Sequence, residues 1–279
     1  MPAYTRWEKL QLKAVTAYAG AVMAPAPQRT YYDLFEATVR HVRQVAQQVR
    51  RITLTAPRIA QARTNGPDEY FGLTVPGASG DLHLPAPKMN VRAAIAAMPE
   101  ADRPDLRWYT IHELRTAAAE LDFDVVLHGD SGPGSAWAVR AEPGMPVGVR
   151  QGTATYAPPQ AGARLLIGDE TAAPAIGAIL TQGPLPEGSR VLVETPDADH
   201  LSPLPDVPGL SVLTRGADVP GSALTTALAR VDTTDLAYAW VCGEQSLATG
   251  IRRTLVKERG MDRKSVLFSG YWKLGSPRF

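Results

Sequence analysis

Two stretches hold the side chains best suited to chemistry. One is the tetrad Arg107-Trp108-Tyr109-Thr110; the other is the run His128-Gly129-Asp130-Ser131-Gly132-Pro133-Gly134-Ser135-Ala136-Trp137-Ala138. Arg107 offers a cation for phosphate, Tyr109 a flat ring for stacking and Thr110 a hydroxyl for an edge hydrogen bond. The turn-rich run, about twenty residues on, offers a second nest of backbone amides sized for phosphate. Such a set suits a large planar ligand with a pyrophosphate tail, such as a flavin dinucleotide, better than a compact substrate.

A second group of residues sits where strands end. Gly168 closes an apolar run and leads into Asp169-Glu170-Thr171, which can cap a following helix and present free amides to an anion, although no Gly-x-Gly-x-x-Gly fingerprint is present. A plain helix cap explains the same residues. Glu194, at the end of the next strand, is placed to accept hydrogen bonds from ribose hydroxyls, and with Asp197 and Asp199 nearby it disfavours a 2′-phosphate and tilts the reading toward NADH. A solvated strand end is the plain alternative. Cys242-Gly243-Glu244 closes a later strand, where the glycine lets a ring approach the backbone and places the nicotinamide nearby.

Other chemistries fail on context. Gly129-Asp130-Ser131-Gly132-Pro133 resembles the active-serine segment of trypsin-like proteases, but none of His41, His83 and His112 upstream sits in a matching setting. His112-Glu113 begins like a zinc protease motif, but residue 116 is threonine, so the second imidazole is missing. The five histidines are scattered, and no metal site follows from spacing. One cysteine excludes an internal disulfide and a four-thiolate cluster built from this chain alone.

These residues need elements to hold them. A chain of 279 residues favours two domains, and a net charge of +1 argues against a nucleic-acid partner. Arg6, Lys9 and Lys13 before an uncharged run imitate a secretory leader, but the run is alanine-rich and ends in Pro25 and Pro27; residues 1–28 read as an N-terminal helix or arm. From Asp33, short half-buried runs separated by Gly and Pro predict strands at Phe35–Val39, Val49–Leu54, Tyr70–Val75, Arg107–Ile111, Phe123–Leu127 and Val147–Arg150, hence an antiparallel barrel or sandwich over residues 29–156. Residues 157–162, with two prolines, read as a linker. Beyond it strands at Ala163–Ile167, Arg190–Glu194, Leu210–Leu213, Ala237–Cys242 and Val266–Gly270 alternate with helices at Ala172–Leu180, Ser222–Arg230 and Glu244–Arg259. That rhythm predicts an α/β domain with a parallel sheet over residues 163–279.

From about Asp33 to its end the chain resembles the siderophore-interacting proteins, flavin-dependent ferric-siderophore reductases related to ferredoxin–NADP reductase. The carriers are Arg107-Trp108-Tyr109-Thr110, His128-Gly129 with Gly132 to Ala138, Gly168-Asp169-Glu170-Thr171-Ala172-Ala173-Pro174-Ala175-Ile176, Trp240-Val241-Cys242-Gly243-Glu244 and Gly270-Tyr271-Trp272-Lys273. The resemblance implies a six-stranded antiparallel β-barrel that binds FAD, followed by a parallel-sheet α/β domain that binds NADH or NADPH. It implies that Arg107 pairs with the FAD pyrophosphate, that Tyr109 stacks on the isoalloxazine, and that Thr110 bonds near its N5. Ile111, His128, Gly129, Gly132, Ser135, Trp137 and Ala138 would complete the FAD site. Gly168, Asp169, Glu170, Thr171, Pro174 and Glu194 would line the nicotinamide-nucleotide pocket, with Cys242, Gly243 and Glu244 beside the flavin edge. Lys273, in a C-terminal substrate-contacting tail, would be the cation that docks an anionic ferric siderophore.

Four positions depart from the family pattern: His112 replaces a usual second arginine, Gly72 a usual Lys or Arg, Gly134 a usual alanine, and Arg150-Gln151-Gly152 a Gly-Pro-Arg-Gly turn. Arg115 or Arg51 could compensate for the cations missing at His112 and Gly72. The implied activity is NAD(P)H-dependent reduction of ferric siderophores, releasing Fe(II) in the cytoplasm, by a monomer with no nucleic-acid or membrane partner. A flavin reductase with another acceptor and a cofactor-less binder of iron chelates are the alternatives.

Overall fold

A computed structural model describes residues 4–127 and 133–275. His128, Gly129, Ser131 and Gly132 lie outside the described residues. The chain divides into two compact units. A barrel unit takes the chain up to Ala17, Pro27–Gln44 and Arg50–Ala154; a sheet unit takes Tyr18–Ala26, Val45–Val49 and the chain from Thr155 on. Among the described residues no helix is long and apolar enough to cross a membrane.

The expected N-terminal helix is present as α1, Arg6–Val22. It starts on a reciprocal capping box: the Thr5 amide donates to Glu8 Oε2 at 2.8 Å, and the Glu8 amide donates to Thr5 Oγ1 at 3.2 Å. Just ahead of it Tyr4 is buried, with Arg150 Nη2 donating to its hydroxyl at 3.3 Å.

The strands of the barrel unit are β1 (Leu34–Ala46), β2 (Val49–Thr55), β3 (Tyr70–Val75), β4 (Asp105–Arg115), β5 (Glu120–Val126) and β6 (Pro146–Gln151). They close in the order β1-β2-β5-β4-β3-β6, so of the two architectures left open by residue pattern the barrel is the one adopted. Period-two alternation drives it: Ile52, Leu54, Phe71, Leu73, Phe123, Val125, Val147 and Val149 share one buried core, while Arg51, Thr53, Asp122 and Asp124 take the intervening positions. A short helix α2 (Val91–Ala96) lies between β3 and β4. The turn expected over Gly132 to Ala138 is corrected: from Pro133 the chain is a helix, α3 (Pro133–Arg140). Its carbonyl end is held from outside, since Arg50 Nη1 donates to Ala138 O at 2.9 Å and Val139 O at 2.7 Å, a cation at the negative helix terminus.

The sheet unit holds β7 (Ala163–Gly168), α4 (Ala173–Leu180), β8 (Arg190–Thr195), β9 (Leu210–Thr214), α5 (Ser222–Leu228), β10 (Leu236–Glu244), α6 (Gln245–Arg253) and β11 (Val266–Trp272). Its five strands run parallel in the order β11-β10-β7-β8-β9. Leu166, Val191, Val193, Trp240 and Cys242 pack on one face, and Leu165, Ile167, Leu192, Ala239 and Val241 on the other, which explains the unbroken apolar runs. The single helix expected over Glu244–Arg259 changes at Thr254, where a π-helical turn, Thr254–Glu258, succeeds α6. The chain builds β7, β8 and β9 outward on one side, then crosses to β10 and β11 on the other. The carboxyl ends of β7 and β10 therefore flank the switch point where such sheets bind ligands.

Candidate functional site

In the barrel unit, β4 carries the tetrad and α3 packs against it. A Cβ placed on Gly134 would lie 2.7 Å from the Tyr109 hydroxyl and 3.0 Å from Arg107 Cγ, so the first turn of α3 rests directly on both residues. Arg107 donates to the carbonyl of its neighbour Leu106 at 2.7 Å, and among the described residues no carboxylate pairs with it. The Tyr109 ring, half-buried, meets Phe123 at 5.1 Å, and burial pushes its phenol up to about 12, so it stays a neutral hydroxyl at physiological pH. Thr110 is buried opposite Tyr70. Ser135 is half-buried in α3.

Three residues expected at the flavin lie in or against the barrel core. Trp137 and Ala138 are buried in the barrel core. Ile111 also faces inward, lining a cavity of about 170 Å³ with Phe35, Ile59 and Phe71. A residue that the sequence reading missed is Arg92, in the first turn of α2. Its pKa is lowered by burial and by the charge of Arg107. The like charge of Arg107 is thus felt at Arg92, and a pair of cations of this kind favours an anion. The signal in the sequence was a basic residue just behind the cap Asn90, in a turn where the helix dipole favours acids.

On the outer face of the barrel, His112 accepts at Nδ1 from Arg51 Nη2 at 3.3 Å, while Arg51 is bidentate to Asp124 at 2.6 and 2.8 Å. Burial first, then Arg51, lowers the imidazole pKa, leaving it neutral. Of the two proposed compensators Arg51 is thus the one beside His112. Arg115 is occupied by Glu113, Glu120 and Asp122.

In the sheet unit the switch point brings Gly168, Asp169, Thr171, Gly243 and Glu244 together. Asp169 is fully buried and accepts four hydrogen bonds. Oδ1 takes the Thr171 amide (2.9 Å) and hydroxyl (2.6 Å); Oδ2 takes the Glu244 amide (2.6 Å) and Trp272 Nε1 (2.9 Å). Burial, with the Glu170 carboxylate beside it, raises its pKa. Gly243 has φ of +140°, and a Cβ there would lie 2.7 Å from Asp169 Oδ2, so this glycine admits the carboxylate. Gly168 has the same logic: a Cβ would stand 2.5 Å from Ala172 Cβ.

Several expectations are corrected here. Thr171 does not cap α4, whose N-cap is Ala172 without a side-chain bond; Pro174 is buried in its first turn. Glu170 is buried in a two-pronged ion pair with Arg215 at 2.7 and 3.0 Å. Glu194 does not receive ribose hydroxyls: it is buried, and its carboxylate accepts the amides of Gly221, Ala223 and Leu224 at the start of α5. The tilt toward NADH falls with it. Cys242 points into the core. Glu244 caps α6, accepting from the Leu247 amide at 3.0 Å. Lys273, exposed, follows β11.

The chain matches two family models, one described as the siderophore-interacting FAD-binding domain over residues 38–155 and one as siderophore-interacting protein over residues 161–275. It is 32% identical over 201 residues to an uncharacterized protein of Mycobacterium tuberculosis, covering 65% of this chain and 70% of that one. It is 28% identical over 238 residues to a ferric vibriobactin reductase of Vibrio cholerae, covering 83% and 86%. A crystal structure of a siderophore utilization protein from T. fusca superimposes with a TM-score of 0.76 at 27% identity, covering 90% of this chain and 97% of that one.

Proposed function

The chain belongs to the siderophore-interacting protein family, and from that premise we propose that it is an FAD-dependent reductase that takes electrons from NAD(P)H and delivers them to the iron of a ferric siderophore. The observation that carries this reading is the Arg107, Tyr109 and Gly134 constellation: an arginine with no acid partner among the described residues, a neutral phenol beside it, and a helix start seated on both.

The residues fit the cofactor. Arg107, with Arg92 near it, would hold the pyrophosphate; Tyr109 would offer its ring face and Thr110 its hydroxyl. Bound there, FAD would supply the conversion of a two-electron donor into the one-electron deliveries that iron requires. The carboxyl ends of β7 and β10, at the switch point of the sheet, would take the nicotinamide nucleotide. Lys273 is the cation on which an anionic chelate would dock. Release follows from ligand hardness, because anionic oxygen ligands hold Fe³⁺ far better than Fe²⁺, so reduction loosens the metal without cutting the chelator. No side chain has to move a proton. A cytoplasmic setting agrees with the need for NAD(P)H.

The purified protein is expected to be yellow, with flavin absorption that NADH or NADPH bleaches without oxygen and a ferric chelate restores. A colourless protein that FAD cannot reconstitute would overturn the reading. Turnover with quinones or free flavin but not ferric chelates would favour a reductase with another acceptor.

A further inference from the structure

The two buried carboxylates at the switch point have a second set of partners. Besides the loop after β7 and the start of α6, they hold the residues on either side of Lys273: Trp272 Nε1 donates to Asp169 Oδ2 at 2.9 Å, and the Leu274 amide donates to Glu244 Oε1 at 3.1 Å. The two carboxylates are themselves linked, because the Glu244 amide donates to the same Asp169 Oδ2 at 2.6 Å.

We propose that Asp169 and Glu244 form a clamp that positions Lys273, so that the motifs read as nicotinamide contacts also set the place of the cation on which the ferric chelate docks. The inference rests on Lys273 being that cation. Its physical basis is reach. A lysine has four flexible methylenes, and its charge selects a ligand only where its backbone is fixed. Lys273 lies at the end of the edge strand β11, where the ladder to β10 finishes at Glu244 and Trp272 after an irregularity at Gly243. There the clamp replaces ladder bonds with bonds to carboxylates, which are stronger than those between neutral groups. Three of the four groups bonded to Asp169 are N–H groups that can only donate, both of those on Oδ2 among them.

Trp272→Phe removes one donor and keeps the ring. Binding of a ferric tris-catecholate complex to the FAD-loaded, oxidised protein, measured by equilibrium dialysis without NAD(P)H, reads the effect apart from turnover. Lys273→Ala is expected to raise Kd about tenfold, the loss of one close charge contact, and Trp272→Phe about fivefold through misplacement of that charge. In the Lys273→Ala background Trp272→Phe is expected to add nothing. An equal effect in both backgrounds would show that the tryptophan acts independently of Lys273 and overturn the clamp. So would an unchanged Kd in Trp272→Phe alone. An unchanged Kd in Lys273→Ala would remove the premise and the clamp together, while the bleaching experiment would still judge the reductase. FAD content and circular dichroism of each variant exclude misfolding as the cause.

Discussion

Gly72 and Trp108 are directly paired residues of antiparallel neighbours β3 and β4, and a methyl group on Gly72 would stand 3.2 Å from Trp108 Cζ3 and 2.9 Å from Leu106 Cδ1. The indole fills the space a side chain at residue 72 would need, as an aromatic opposite a strand glycine often does. Where the family commonly carries Lys or Arg, this chain carries a ring on the facing strand. Gly72→Lys is therefore expected to destabilise by about 1–3 kcal/mol through overpacking, read from the urea midpoint. A neutral result would mean that the indole swings away freely.

Gly134 follows the same rule toward the cofactor. Adding one methyl, Gly134→Ala, places a carbon 2.7 Å from the Tyr109 hydroxyl, whose ring is backed by Phe123 and has little room to retreat. The expected outcome is FAD binding weakened about tenfold in fluorescence titration, since small misplacements of positioned groups carry costs of this size. Unaltered affinity would show that the hydroxyl position is irrelevant to the cofactor.

Glu194→Gln tests the corrected role of that acid. The carboxylate accepts three amides at the head of α5, and glutamine would turn an NH₂ group toward one of them. Stability should fall by about 1–2 kcal/mol, as for a lost cap, and the ratio of activities with NADH and NADPH should not change. A shifted ratio would restore Glu194 to the nucleotide.

His112 gives a pH dependence of definite sign. Its folded pKa lies below the ordinary value because burial and Arg51 disfavour the imidazolium, whereas the unfolded chain protonates at about 6.5. The contribution of neutral His112 is thus present above that pH and is lost as pH falls through the lowered folded value. Urea midpoints at pH 7.5, 6 and 5 should show wild type losing stability relative to His112→Gln as acid is added. A constant difference would contradict the depressed pKa.

Much of the framework was legible because burial imposes periods on a sequence. The alternation Arg51-Ile52-Thr53-Leu54 marks a strand with one polar and one apolar face, and Leu165-Leu166-Ile167 marks one apolar on both faces. Polar ends were not legible: β1 runs to Ala46 and β4 to Arg115 because the outer faces of these strands are charged, which reads like loop. The helix at Pro133–Arg140 hid behind Gly134 and Ser135, weak helix formers, because its support comes from Arg50, 88 residues away from Ala138. In the site, strand-end positions were correct for Glu194 and Cys242, but the direction of each side chain depends on whether a helix start or a core waits beside it. No local pattern encodes that.

The burial of Cys242 has a use of its own. As the only thiol of the chain, with no accessible surface and a place in the core of the sheet unit, it can meet a thiol reagent only when that core opens. The rate of its alkylation under native conditions therefore reports the opening equilibrium of this half of the molecule alone, a built-in clock for local unfolding that needs no engineered label.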